Sequence, residues 1–301
     1  MDEQHYLAQL ADLQAAAWPP GVPRTPHYPH GEQPLSEYLR AWARQQPEAI
    51  ALDFYGHSLS WAELDRLSDR CAALLAELGV QPGDRVALFM PNCPQLHIAF
   101  YGLLKCGAVY APVSPLSKAL ELSYQLKDSG ARVILCFDQL LPVVRAVRED
   151  CALRHILATS LSELRPEQPS IPVPDLLLAP KVSGDDFIDF YPALAACTAP
   201  APTHRPQLDD LAALNYTGGT TGLPKGCMHT HRSIMHNAVA SALWGQGSSE
   251  NVTLTVIPMF HITGMVSVMH ASIYLGATMV LMPRWDRELA GQLISRYQVT
   301  N

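Results

Sequence analysis

RVALFMPNCPQLHIAFYGLLKCGAVYAPVSPLSKALELSYQLKDSGARVILCF, residues 85–137, decides the fold. Its short apolar runs at 85–90, 109–113 and 132–137 are rich in Val, Leu, Ile and aromatic residues. Runs of that length bounded by Gly or Pro read as buried strands, whereas the longer stretches between them, 94–105 and 117–129, read as helices. Strand and helix in alternation place parallel strands in one sheet with helices on both of its faces.

Working toward the N-terminus, Ser60-Trp61-Ala62-Glu63 forms a capping box. The serine oxygen and the glutamate carboxylate satisfy free backbone donors at the start of a helix. That helix carries Leu64, Leu67, Cys71, Leu74, Leu75 and Leu78 on one side and ends at Gly79. Before it, a strand over 49–55 and a Gly56-His57 turn are predicted, preceded by an amphipathic helix with Leu35, Tyr38, Leu39 and Trp42 at i, i+3, i+4 and i+7. The prolines at 19, 20, 23, 26, 29 and 34 make residues 1–34 an extended arm.

Toward the C-terminus the pattern loosens over 160–206, where prolines recur, and this segment reads as a connection. A second α/β series then begins. Strands are predicted at 211–217, 253–257 and 278–282, with helices at 229–244, 262–274 and 286–298. The division expected is therefore an arm (1–34), a first α/β subdomain with its connection (35–206) and a second α/β subdomain (207–301). The chain stops after a helix whose pattern calls for another strand, so the expectation is a fragment whose uncovered sheet edge favours self-association.

Composition removes several classes. The chain has 301 residues, 48% of them apolar, enough for a substantial core, and carries a net charge of −7 with no basic block for nucleic acid. Its seven cysteines are scattered without CxxC spacing, which fits a reduced cytoplasmic compartment and no metal cage. Peripheral membrane contact stays open. The opening Met1-Asp2-Glu3 lacks a basic n-region and an apolar h-region. Residues 251–283 contain no Asp, Glu, Lys or Arg, yet Pro258, His261, Gly264 and His270 interrupt the run, which reads as buried core rather than a membrane span.

The chemical signal is Tyr216-Thr217-Gly218-Gly219-Thr220-Thr221-Gly222-Leu223-Pro224-Lys225-Gly226, placed after a predicted strand. Glycines let backbone approach a ligand and turn successive N–H groups toward phosphate oxygens. Threonine hydroxyls add donors and Lys225 adds a point charge. The set suits a polyphosphate. It is not a Walker loop, since Lys225 is followed by Gly226 rather than Ser or Thr, and a kinase glycine loop lacks the threonine pair. The bland alternative is an ordinary Gly/Thr turn.

This loop resembles the signature of the adenylate-forming enzymes, a family that includes acyl-CoA synthetases, luciferase-like enzymes and peptide-synthetase adenylation domains. Gly218 stands where many members carry serine, a variant similar to the fatty acyl-CoA ligase branch, so a hydroxyl contact there does not carry over. Residues 59–64 and 104–112 resemble two structural motifs of the family, and Pro258-Met259-Phe260-His261 resembles the motif whose aromatic and histidine line the carboxylate site. His229 and His231, by contrast, are a weak metal pair.

The resemblance implies an α/β fold of two packed, predominantly parallel sheets with helices on their faces, the N-terminal domain of such an enzyme. It implies an acid–thiol ligase that uses ATP, Mg²⁺ and CoA to convert a carboxylic acid, with a fatty acid favoured and aryl or amino acids open, through an acyl-adenylate to a thioester. Thr217, Gly218, Gly219, Thr220, Thr221, Gly222 and Lys225 would hold the β- and γ-phosphates, and Lys225 and His261 would act at the reacting groups. A magnesium-binding glutamate, a ribose-binding aspartate and the catalytic cap are expected beyond residue 301. The chain alone is therefore expected to bind nucleotide with little adenylation, and a nucleotide-binding or interaction module without chemistry is the alternative.

Overall fold

The computed structural model describes residues 2–169, 171–218 and 222–301. Its first element corrects the extended arm: α1 (Glu3–Ala17) is a helix, capped by the Asp2 carboxylate, which accepts the His5 N–H at 2.9 Å. The alanine-rich stretch 8–17 precedes the first proline, so nothing breaks a helix there. No residue of α1 is buried. The proline-rich remainder is irregular but pinned: Trp18 Nε1 donates to the Val22 carbonyl and the Tyr274 hydroxyl donates to that of His27.

The chain continues through α2 (Leu35–Gln45), the hairpin β1 (Ile50–Phe54) and β2 (His57–Ser60), and α3 (Trp61–Glu77), whose Ser60–Glu63 capping box forms as expected. The alternation follows as read: β3 (Arg85–Phe89), α4 (Pro94–Lys105), β4 (Val109–Pro112), α5 (Ala119–Ser129) and β5 (Val133–Phe137). Next come α6 (Leu141–Val147), β6 (His155–Thr159), α7 (Asp175–Leu178), β7 (Ile188–Asp189) and α8 (Phe190–Ala196). Segment 160–206 is thus more than a connection, because β7 extends the sheet beyond β6.

The C-terminal part holds β8 (Leu211–Thr217), β9 (Lys225–Thr230), α9 (His231–Trp244), β10 (Val252–Thr255), a π-helix (Gly264–His270) running into α10 (Ala271–Leu275), β11 (Thr278–Leu281) and α11 (Arg287–Tyr297). The helix expected from 229 begins at His231, because 225–230 pairs antiparallel with β8 and the Thr230 hydroxyl caps the Ser233 N–H at 3.2 Å.

Two sheets result, with orders β10-β11-β1-β2 and β7-β6-β5-β3-β4-β8-β9. All pairings are parallel except the β1–β2 and β8–β9 hairpins. Each sheet takes strands from both sides of residue 206: β8 joins β4, and β11 joins β1. The expected split into subdomains 35–206 and 207–301 is corrected accordingly. Every residue of α4 is buried, and it touches β1 of one sheet and β3 and β4 of the other. Its last residue, Lys105, is 1% exposed and reaches Asp65 and Asp69 of α3 at 2.5 and 2.9 Å. A buried ammonium needs such partners.

Candidate functional site

Parallel α/β sheets place ligands outside the carboxyl ends of their strands. Here those ends are the turn after β3, the segment after β4, the hairpin mouth after β8 and the turn after β10.

The β8–β9 hairpin carries the glycine/threonine loop. Thr217 and Lys225 are direct cross-strand partners at its mouth, both exposed and on one face of the ladder. Gly218 and Gly222 are exposed, and a Cβ at either would meet nothing within 4 Å. Gly219, Thr220 and Thr221 lie outside the described residues. The described members of the expected phosphate set thus share one solvent-facing strand end. Gly226 faces Tyr216, and a Cβ there would lie 3.2 Å from Tyr216 Cζ and 3.0 Å from Leu214 Cδ1, so glycine lets the tyrosine ring cross the neighbouring strand.

The second expected element, 258–261, follows β10 on the other sheet. Asn92, 3% exposed after β3, clamps it: Nδ2 donates to the Ile257 carbonyl at 3.0 Å and to that of Thr255 at 3.4 Å, while Oδ1 accepts the Met259 N–H at 2.9 Å. The Tyr110 hydroxyl of β4 donates to the Met259 carbonyl at 3.3 Å. The seven-stranded sheet therefore holds the turn that leaves the four-stranded one. His261 is exposed, and its Nδ1 accepts the Thr263 N–H at 3.3 Å. A ring accepting at Nδ1 carries its proton on Nε2, which leaves an outward donor. No hydrogen bond joins His261 to Lys225.

Beside this turn lies an apolar groove of about 620 Å³, with Asn92, Leu116, Phe137, Val256, Phe260 and Trp285 among its walls. Apart from Leu176 of α7, its lining comes from the carboxyl ends of β3, β4, β5, β10 and β11, so it spans both sheets.

His229 and His231 fall on two different elements. His229 is on β9, whereas His231 opens α9 and is buried, which pushes its imidazole down to about 4. Among the described residues there is no group of three or more His, Cys, Asp or Glu placed to hold a metal ion, and no helix is long and apolar enough to cross a membrane. Asn92 escaped the sequence reading because its partners lie more than 160 positions away.

The family description AMP-binding enzyme matches residues 39–301. A long-chain-fatty-acid–CoA ligase of Bacillus subtilis is 34% identical over 95% of this chain and 52% of its own length. 4-coumarate–CoA ligase 3 of Oryza sativa is 33% identical over 81% of this chain and 41% of its own. Among solved structures, the inhibitor-bound N-terminal domain of FACL13 from Mycobacterium tuberculosis aligns with a TM-score of 0.72 at 29% identity, covering 89% of this chain and 61% of that one. The chain spans about half the length of the curated relatives it matches.

Proposed function

We propose, given that this chain belongs to the AMP-binding enzyme family, that it supplies the ATP-binding and acid-binding parts of an AMP-forming acid–CoA ligase. The observation that carries this reading is the pairing of an exposed glycine/threonine hairpin mouth with an apolar groove at the same carboxyl edge of the sheets. A carboxylate resists thiol attack because its charge is delocalised and its leaving group would be oxide. Attack of the carboxylate oxygen on the α-phosphorus of ATP expels pyrophosphate and yields a mixed anhydride, which a CoA thiol can open with AMP leaving. Phosphoryl chemistry of this kind depends on positioning and charge neutralisation.

Main-chain N–H groups of the loop, the Thr217 hydroxyl and the Lys225 ammonium would hold the β- and γ-phosphates and stabilise pyrophosphate as it leaves. His261 would offer Nε2–H to the carboxylate, and the groove would take the apolar part of the acid. Magnesium neutralises phosphate charge when bound. Among the described residues no group of three or more His, Cys, Asp or Glu would cage it, so it would be held by phosphate oxygens and water together with the single glutamate that the resemblance places beyond residue 301. The relatives are named for fatty acids and for 4-coumarate, and the groove's mixture of aliphatic and aromatic walls suits either apolar class.

The test is calorimetric titration with ATP, followed by pyrophosphate release with a panel of saturated fatty acids and hydroxycinnamates. The reading expects ATP binding and, in the full-length protein, acid-dependent pyrophosphate release. Failure of the chain to bind ATP would overturn it.

A further inference from the structure

We propose that Tyr124 and Asp128 of α5 are positioning residues that hold Pro224 and Tyr216, the described flanks of the phosphate-binding loop, and thereby strengthen its binding of a polyphosphate. This rests on the reading of the β8–β9 mouth as the ATP site.

The Tyr124 hydroxyl donates to the Pro224 carbonyl at 2.7 Å, on the outgoing flank of the loop. On the incoming flank, the Tyr216 hydroxyl donates to Asp128 Oδ2 at 2.6 Å. Positions 124 and 128 are four apart on one helix and so share a face. The two tyrosine rings meet edge to face at 6.4 Å. Glycine at 226 is what lets the Tyr216 ring lie across the adjacent strand toward that face. Burial and the neighbouring Asp128 raise the Tyr216 pKa, so its hydroxyl stays a donor at physiological pH.

The support is itself firm. Leu122 and Leu126 of α5 are buried in the second core cluster, and Arg85 Nε donates to the Ser129 carbonyl at 2.6 Å. A helix seated this way fixes Tyr216 and Pro224, the two described flanks, relative to each other, so that ordering them costs less when a ligand binds. Helix stability alone asks for neither bond, because both side chains reach away from α5 to the hairpin.

Calorimetric titration of the 301-residue chain with ATP and, in parallel, with AMP decides the matter, using Tyr124→Phe, Asp128→Ala and Asp128→Asn. AMP lacks the β- and γ-phosphates that the loop would hold. Tyr124→Phe and Asp128→Ala are each expected to weaken ATP binding roughly fivefold to tenfold, the loss of one hydrogen bond, with AMP affinity and thermal midpoint little changed. Asp128→Asn keeps an acceptor for the Tyr216 hydroxyl and should restore ATP binding. Unchanged ATP affinity, or an equal fall for ATP and AMP, would overturn the positioning role. Wild-type chain binding neither nucleotide would instead overturn the site on which it rests.

Discussion

Asn92 makes three hydrogen bonds across the gap between the sheets, and alanine there would leave the Ile257 carbonyl and the Met259 N–H without their side-chain partner. Asn92→Ala should cost about 2–3 kcal/mol in urea unfolding, as expected for buried groups left unsatisfied. The buried histidines make a second prediction. Burial lowers His97 and His231 to about 4 and His270 to about 3. Below an unfolded value of about 6.5 the unfolded chain takes up protons that the folded chain refuses. Stability is then full above that pH and falls progressively as pH drops toward these folded values. Between pH 7 and pH 5 each such histidine should remove on the order of 2 kcal/mol. Unfolding midpoints measured across that range should fall with pH, and His270→Gln should flatten the slope. At this scale Thr217 and Lys225 could be nominated from sequence because they lie within one contiguous motif, and the structure makes them cross-strand partners. Asn92 and Tyr124 could not, because a side chain that serves a distant backbone carries no local signature.

Among the elements, β3 to β5 with α4 and α5 were legible since their apolar runs and breaks agree with their structural periods. The first two residues of the helix expected from 229 belong instead to β9. Lys225–Thr230 carries no strand alternation of its own, and antiparallel pairing with β8 decides its conformation. Likewise, residues 264–270 read as ordinary helix but are wound as a π-helix. A close backbone approach accompanies that winding: a Cβ on Gly264 would sit 2.3 Å from the Pro258 carbonyl oxygen. Since the obstacle is main chain, Gly264→Ala should push the 258–261 turn away from Asn92. Loss of about 2 kcal/mol or more on urea unfolding, with altered amide shifts at Met259 and His261, is the expected result.

For the whole molecule, the interleaving of the sheets is the feature that chain order concealed. Sequence reading saw two consecutive α/β series and divided them at 206, whereas β8 and β9 complete a sheet begun by β3 to β7, and β10 and β11 complete one begun by β1. Each sheet is completed only by strands from the other half. Expressed separately, 35–206 and 207–301 should lack cooperative unfolding transitions by circular dichroism, and a sharp transition in either would contradict the interleaved account. This architecture also explains the site: strands from both halves bring the hairpin mouth, the 258–261 turn and the apolar groove to one edge. In the proposed function, loop amides clasp the phosphates of ATP. Amide hydrogen exchange across residues 217–226, with and without saturating ATP, tests it most directly. Slower exchange in that segment on adding ATP, absent with adenosine, is the predicted result; bound ATP with exchange there unchanged would contradict it.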